Sequence, residues 1–281
     1  MEKKKKNIFF VVCHPDDESL WVGGVLNLLS NIPFLNVFVI CLSGNDSNSP
    51  RIDEFNNAIR ISGCNEGIIL GNSLRQANHP LPPVEKTFLN GLSILGLETT
   101  DIDLLITHSP FGDEHMNPHH IQASRDLYKF SNLKDIPFGY FSCLPLNNSL
   151  LKPILRNNLI KGKYGILNFS KCEYSISHKL LKFIRFRKWR YPKFYTQWFI
   201  DIKKKQQMLN CYKSINIESH KKNYSFFNSP VESIYLFDYK GFRIFNLVKD
   251  TFNVPGSKDY FLNWHLAEII KSKISKSIYK S

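Results

Sequence analysis

Four side chains able to bind a metal or move a proton fall within five residues. They are His14, Asp16, Asp17 and Glu18, in the run Val11-Val12-Cys13-His14-Pro15-Asp16-Asp17-Glu18. His14 and Asp17 offer one nitrogen and one oxygen ligand, a mixture suited to zinc or a similar divalent ion. Adjacent carboxylates leave the backbone in different directions, so one can hold an ion while the other stays free as a base. The competing reading is a polar strand-to-helix turn in which Asp16 or Asp17 only caps the helix. A further ligand elsewhere would decide between the two. The stretch Asp113-Glu114-His115-Met116-Asn117-Pro118-His119-His120 supplies candidates, with three histidines and two carboxylates in eight residues and His108 just upstream.

The elements around these clusters are strands that end in polar groups and lead into helices. Residues 7–12 form an apolar run rich in β-formers, which predicts a buried strand, and a helix begins near Glu18. Further strands are expected at 34–42, 67–71 and 103–108. Helices are expected at 51–61, around 84–97 and over about 118–130, with Gly63 closing the first of these. This alternation predicts an α/β fold: a Rossmann-like, mostly parallel sheet with helices on both faces. Ligands then bind beyond the carboxyl ends of the strands, where both clusters lie.

After residue 140 the pattern predicts strands at 141–144, 164–169, 231–237 and 242–245, the last two joined by a turn at 238–241. A helix is expected over 201–214. Residues 1–248 are read as one domain. Residues 249–281 are read as a helical extension packed on it, with Trp264, Leu266, Ile269 and Ile270 at helical spacing.

The composition, 43% hydrophobic and 22% charged over 281 residues, is that of a soluble globular protein. No apolar run approaches the ~18 residues of a membrane-spanning helix. Lys3 to Lys6 precede an apolar stretch as in a secretory signal. That stretch breaks at His14-Pro15-Asp16-Asp17 with no small-residue cleavage site, so a cytoplasmic protein is expected. Six scattered cysteines without a Cys-x-x-Cys pair fit a reducing compartment. A net charge of +13 implies an acidic partner: a phosphorylated substrate, a nucleic acid or an anionic membrane surface. No helix-turn-helix, finger or RNP-like signature supports specific nucleic-acid recognition. Peripheral contact with a membrane stays open, and the sequence does not fix an oligomeric state.

The His-Pro-Asp-Asp-Glu block after the first strand, with a later histidine block, resembles the PIG-L/LmbE-like zinc-dependent N-deacetylases. Ser43-Gly44-Asn45-Asp46 matches that family's loop after the second strand, and Arg51 and Glu54 match its Arg-x-x-Glu. Ile200-Asp201-Ile202, Lys205 and Tyr212-Lys213-Ser214 match its late blocks, with Ile215 where Gln is common. The resemblance spans roughly residues 7–240. It implies Zn2+ held by His14, Asp17 and His120, with Asp16 as general base. The family's second block begins with a histidine that stabilises the transition state, and this chain has Asn117 there. His115 or His119 then takes that role, or Asn117 donates a neutral hydrogen bond. The implied reaction removes an N-acetyl group from an amino sugar or its conjugate, releasing acetate and a free amine. Arg51 and His119 are candidate substrate contacts; Arg51 reads equally as an exposed charge at a helix start.

Two other classes stay open: another metal-dependent amide or ester hydrolase on this scaffold, or a non-catalytic metal-binding protein with a basic surface. Residues 179–193 hold seven basic side chains among aromatic and aliphatic ones. They read either as a flap that attracts an anionic substrate such as a phosphate-bearing amino sugar, or as a solvated edge strand.

Overall fold

The computed structural model describes residues 4–46, 49–71, 81–110, 117–141, 194–215, 231–252 and 258–261. Its central strand is β1 (Lys6–Val12), in which Ile8 through Val12 are fully buried. A strand covered on both faces has no need of polar alternation, which explains the unbroken apolar run. It pairs in parallel with β2 (Leu35–Cys41) on one side and β4 (Leu104–Thr107) on the other. Beyond them lie β3 (Glu66–Ile69) and β5 (Phe138–Phe141), also parallel. The sheet continues antiparallel through β7 (Val231–Leu236), β6 (Phe194–Phe199) and β8 (Lys258–Phe261), giving the order β3-β2-β1-β4-β5-β7-β6-β8.

Helices cover both faces. On one side α1 (Asp17–Ser30), α2 (Arg51–Ser62), α5 (Ile202–Leu209) and α6 (Tyr239–Phe252) bury Trp21, Val25, Phe55, Met208, Phe242 and Phe245 against Val12, Val37 and Val39. On the other, α3 (Val84–Ile94) and α4 (Pro118–Leu133) bury Phe88, Leu92, Ala123 and Leu127 against Phe9, Val11 and Leu105. Residues of opposite parity along β1 thus feed opposite cores. This is the expected α/β, mostly parallel architecture. The connections run outward in opposite directions from β1 and β4, so a crevice opens between their carboxyl ends.

Several expectations change. The fifth strand is described over Phe138–Phe141, three residues ahead of the expected start, and residues 142–144 lie outside the described residues. Strand β6 was not foreseen. Residues 242–245 are not a strand: they lie in α6, where Phe242, Phe245 and Val248 share one helical face and bury in the core. Asp238 starts that helix by accepting the Gly241 N–H at 2.8 Å. Helix α6 also runs through residue 248, and Lys258–Phe261 pairs with β6 as a strand. Residues 164–169, 179–193 and 264–270 lie outside the described residues. Among the described residues no helix is long and apolar enough to cross a membrane.

Candidate metal centre

The first cluster is set by the abrupt end of β1. Pro15 cannot extend the ladder, and Asp16 adopts a left-handed conformation, with φ 117° and ψ −28°. For a residue with a Cβ this costs on the order of 1–3 kcal/mol and persists only where the surroundings over-determine it. The surroundings here do so. The Asp16 carbonyl accepts the N–H groups of Ser19 and Leu20 at 3.0 and 2.8 Å. The Asp16 N–H donates to Glu18 Oε2 at 3.1 Å, and Glu18 Oε1 in turn accepts the Tyr212 hydroxyl at 2.7 Å.

The sharp turn sends the two aspartates apart. Asp17 Oδ2 lies 3.2 Å from His14 Nδ1 and 3.2 Å from His120 Nε2, and those two nitrogens are 3.3 Å from each other. A tetrahedral ion about 2.0–2.1 Å from nitrogen and oxygen ligands needs donor atoms roughly 3.3–3.4 Å apart. This near-equilateral triangle of one carboxylate and two imidazole donors therefore fits a divalent ion such as zinc. The other Asp17 oxygen accepts the Trp21 indole N–H at 3.2 Å, which fixes the carboxylate from behind. The Asp16 side chain makes no capping bond to α1.

His119 and His120 come from the first turn of α4. Pro118 occupies the position where a missing N–H costs nothing, and the Asn117 Oδ1 accepts the His119 N–H at 2.9 Å. Asn117 is thus the cap that orients the two histidines. His119 is buried and its Nδ1 lies 2.9 Å from His14 Nε2, where it orients an implied ligand from behind. His115 lies outside the described residues. Half-buried Arg51, at the start of α2, acts electrostatically on both Asp16 and His14.

The electrostatics separate the carboxylates further. Burial favours protonation of Asp17, but the neighbouring His120 and His108 overcome it and hold Asp17 well below the usual carboxylate range. Burial, followed by the charge of Asp17, pushes Asp16 well above that range, against the pull of Arg51 and His14. Among the described residues the Asp16 carboxyl has no hydrogen-bond partner. One carboxylate is committed and ionised, and the other keeps a high affinity for a proton.

Reasoning from sequence left three contributors without a role, although it named His108 beside the second cluster and Glu18 in the first. His108, at the end of β4, stacks on His120 with ring centroids 3.8 Å apart and accepts the Cys13 N–H through Nε2 at 3.1 Å. Its burial and the neighbouring His120 pull its pKa down to about 4, so it is a neutral prop. Trp21 and the Glu18–Tyr212 pair are the others. His108 carried a usable signal, since it stands at a strand's carboxyl end.

No family model matches the chain, and no curated protein does. Among solved structures it is similar to a triple mutant of a deacetylase of the teicoplanin biosynthetic pathway. That match has a TM-score of 0.49 and 14% identity, over 82% of this chain and 97% of the other. It is also similar to N,N'-diacetylchitobiose deacetylase from Pyrococcus horikoshii, with a TM-score of 0.35 and 18% identity over 49% and 63%. A third is GalB, a 4-carboxy-2-hydroxymuconate hydratase from Pseudomonas putida, with 0.43 and 13% over 83% and 96%. At such identities the likeness concerns chain path alone.

Proposed function

We propose that this chain is a metal-dependent hydrolase that removes the N-acetyl group of an amino sugar or amino-sugar conjugate. The observation that carries the reading is the donor triangle of His14 Nδ1, Asp17 Oδ2 and His120 Nε2 beside a second carboxyl, that of Asp16, which has no hydrogen-bond partner among the described residues. A structural metal site has no use for that last group, whereas amide hydrolysis requires it. The acetyl-sugar class rests on the motif resemblance.

When bound, a zinc-like ion polarises a carbonyl oxygen and lowers the pKa of a bound water to roughly 7. The chain's own residues do the rest. Asp17, fixed by Trp21, and His14, oriented by His119, hold their ligand atoms in place with His120. Asp16 takes the proton of the attacking water and later delivers it to the amine nitrogen as the C–N bond breaks. The hydroxyl ends on the acetyl carbon, so the products are acetate and a free amine. Burial raises the proton affinity of Asp16, and the positive charge of a bound divalent ion would offset that rise, which would suit Asp16 to both transfers. Arg51 supplies positive charge at the site and suits a phosphate-bearing conjugate.

The test is acetate release from a panel of N-acetylated sugars and nucleotide sugars by metal-analysed protein. Acetate and free amine are expected in equal amounts. Asp16→Asn is expected to retain the metal and lose nearly all turnover. Metal-loaded protein that releases no acetate from any substrate, or an Asp16→Asn variant with near wild-type turnover, overturns the reading.

A further inference from the structure

Beside the donor triangle, and sharing His120 with it, lies a second group of ligand atoms, of which the proposed reaction uses neither Cys13 nor His108. Cys13, His108 and His120 are fully or almost fully buried, and each offers one ligand atom within 4.8 Å of the others. The three arrive from different elements. Cys13 follows β1 and its side chain joins the core on the α3/α4 side, His108 follows β4, and His120 sits in the first turn of α4. His108 Nε2 accepts the Cys13 backbone N–H at 3.1 Å, so its lone pair is engaged there and reaches an ion only when that bond is given up as the ring turns. Asp17 Oδ2, 3.4 Å from the same nitrogen, lies close enough to balance charge.

We propose that Cys13, His108 and His120 form an alternative site for a thiophilic metal ion, such as Cd2+ or Zn2+ in excess, and that its occupancy excludes the ion held by His14, Asp17 and His120. One thiolate and two imidazoles are a soft donor set, which favours such ions over harder ones. A tetrahedral ion with sulfur at about 2.3 Å and nitrogen at about 2.0 Å needs its donors roughly 3.5 Å apart. The three side chains must therefore close by ~1 Å. The stacked rings of His108 and His120 must also turn about χ2, a soft torsion. On binding, the Cys13 thiol loses its proton to solvent and the sulfur forms the metal bond. Thiolate and ion then carry one net positive charge, which Asp17 offsets. Exclusion follows because both sites draw on His120, and two divalent ions sharing one imidazole in a buried site repel strongly.

The experiment loads the full chain with Cd2+ and records thiolate-to-metal charge-transfer absorption together with metal content. Wild type is expected to hold about one Cd2+ with a thiolate band. Cys13→Ala and Cys13→Ser are expected to lose the band yet keep about one Cd2+, now on the His14 triangle. His14→Ala is expected to keep the band. A wild-type protein without the band at saturating Cd2+, or a band that survives both Cys13 substitutions, overturns the proposal. The spectral arm does not depend on the reaction assigned above. A second arm does: excess Zn2+ or Cd2+ should suppress acetate release by wild type several-fold more than by Cys13→Ala. Loss of that difference with the band intact overturns the exclusion alone.

Discussion

Helix α1 carries the metal block at its first turn, and its middle is held by a charge that reaches across the fold. Lys205 in α5 and Glu232 in β7 form an ion pair at 2.9 Å with both side chains almost fully buried, at 1% and 2% exposure. Glu232 also accepts the N–H groups of Gly24 and Val25, at 3.3 and 2.8 Å, in the middle of α1. Replacing Lys205 by Met removes one ion and leaves the carboxylate buried. Stripping one partner from such a pair costs about 3–5 kcal/mol. The two backbone donors still serve Glu232, so we expect the lower end, about 3 kcal/mol. Glu232→Gln should cost more. Its amide nitrogen faces the Lys205 ammonium or the helix N–H groups, and the buried Lys205 ammonium loses its carboxylate.

Urea denaturation of the metal-free protein measures both, and the pair makes a double-mutant cycle with Lys205→Met/Glu232→Leu. At about 2–4 °C per kcal/mol for a chain of this size, Lys205→Met should also lower Tm by roughly 6–12 °C. The double variant should be milder than the sum of the singles, because the two charges leave together. If either single variant lies within about 1 kcal/mol of wild type, the pair behaves as a solvent-screened surface bridge and the account of α1 is wrong.

Three further outcomes follow from the same geometry. A Cβ on Gly24 would lie 2.3 Å from the Ile200 Cβ, so Gly24→Ala should destabilise by about 1–3 kcal/mol despite the better helix propensity of Ala. Adding Ile200→Ala should relieve that steric part, and a stabilised Gly24→Ala single variant would refute the close packing. Metal analysis should find His120→Ala largely depleted and His119→Ala reduced to a lesser degree; depletion in His119→Ala alone would exchange the two roles. Tyr212→Phe leaves Glu18 one buried donor short, a cost of about 1–3 kcal/mol. It should keep its metal and its KM while kcat falls, because the constraint on Asp16 weakens; unchanged kcat would make the tyrosine purely structural.

Much of this fold was legible because its central strands announce themselves. Residues 8–12, 37–41 and 104–107 are apolar on both faces, and each ends in polar residues that the topology gathers at one edge. That His14, Asp17 and His120 meet was legible only through the motif resemblance, since nothing local ties His14 to a residue more than a hundred positions away. Residues 242–245 misled for a physical reason. Phe-Arg-Ile-Phe alternates well enough for a strand, and only the cap at Asp238 and the spacing on to Val248 reveal a helix. Asn117 stands at a catalytic position of the motif and also has the composition of an N-cap, and it accepts the His119 N–H as one.

The late blocks, each weak as sequence, acquire meaning as partners of the early ones. Tyr212 bonds Glu18, the Ser214 backbone and hydroxyl both donate to Glu54, and Lys205 pairs with Glu232, which in turn holds α1. Each contact joins residues 194–215 or 231–252 to the helices that follow β1 and β2. Asp16 can sit in a strained conformation beside three ligands because these distant groups hold the turn from below. Covalent neighbours alone would let it relax to an ordinary turn. The one charged pair among them, Lys205–Glu232, is buried, and burial makes it rigid as well as costly to break. The same feature explains why composition could not reveal them: an isolated Lys, Glu or Tyr reads as a surface residue until the partner that justifies its burial is known.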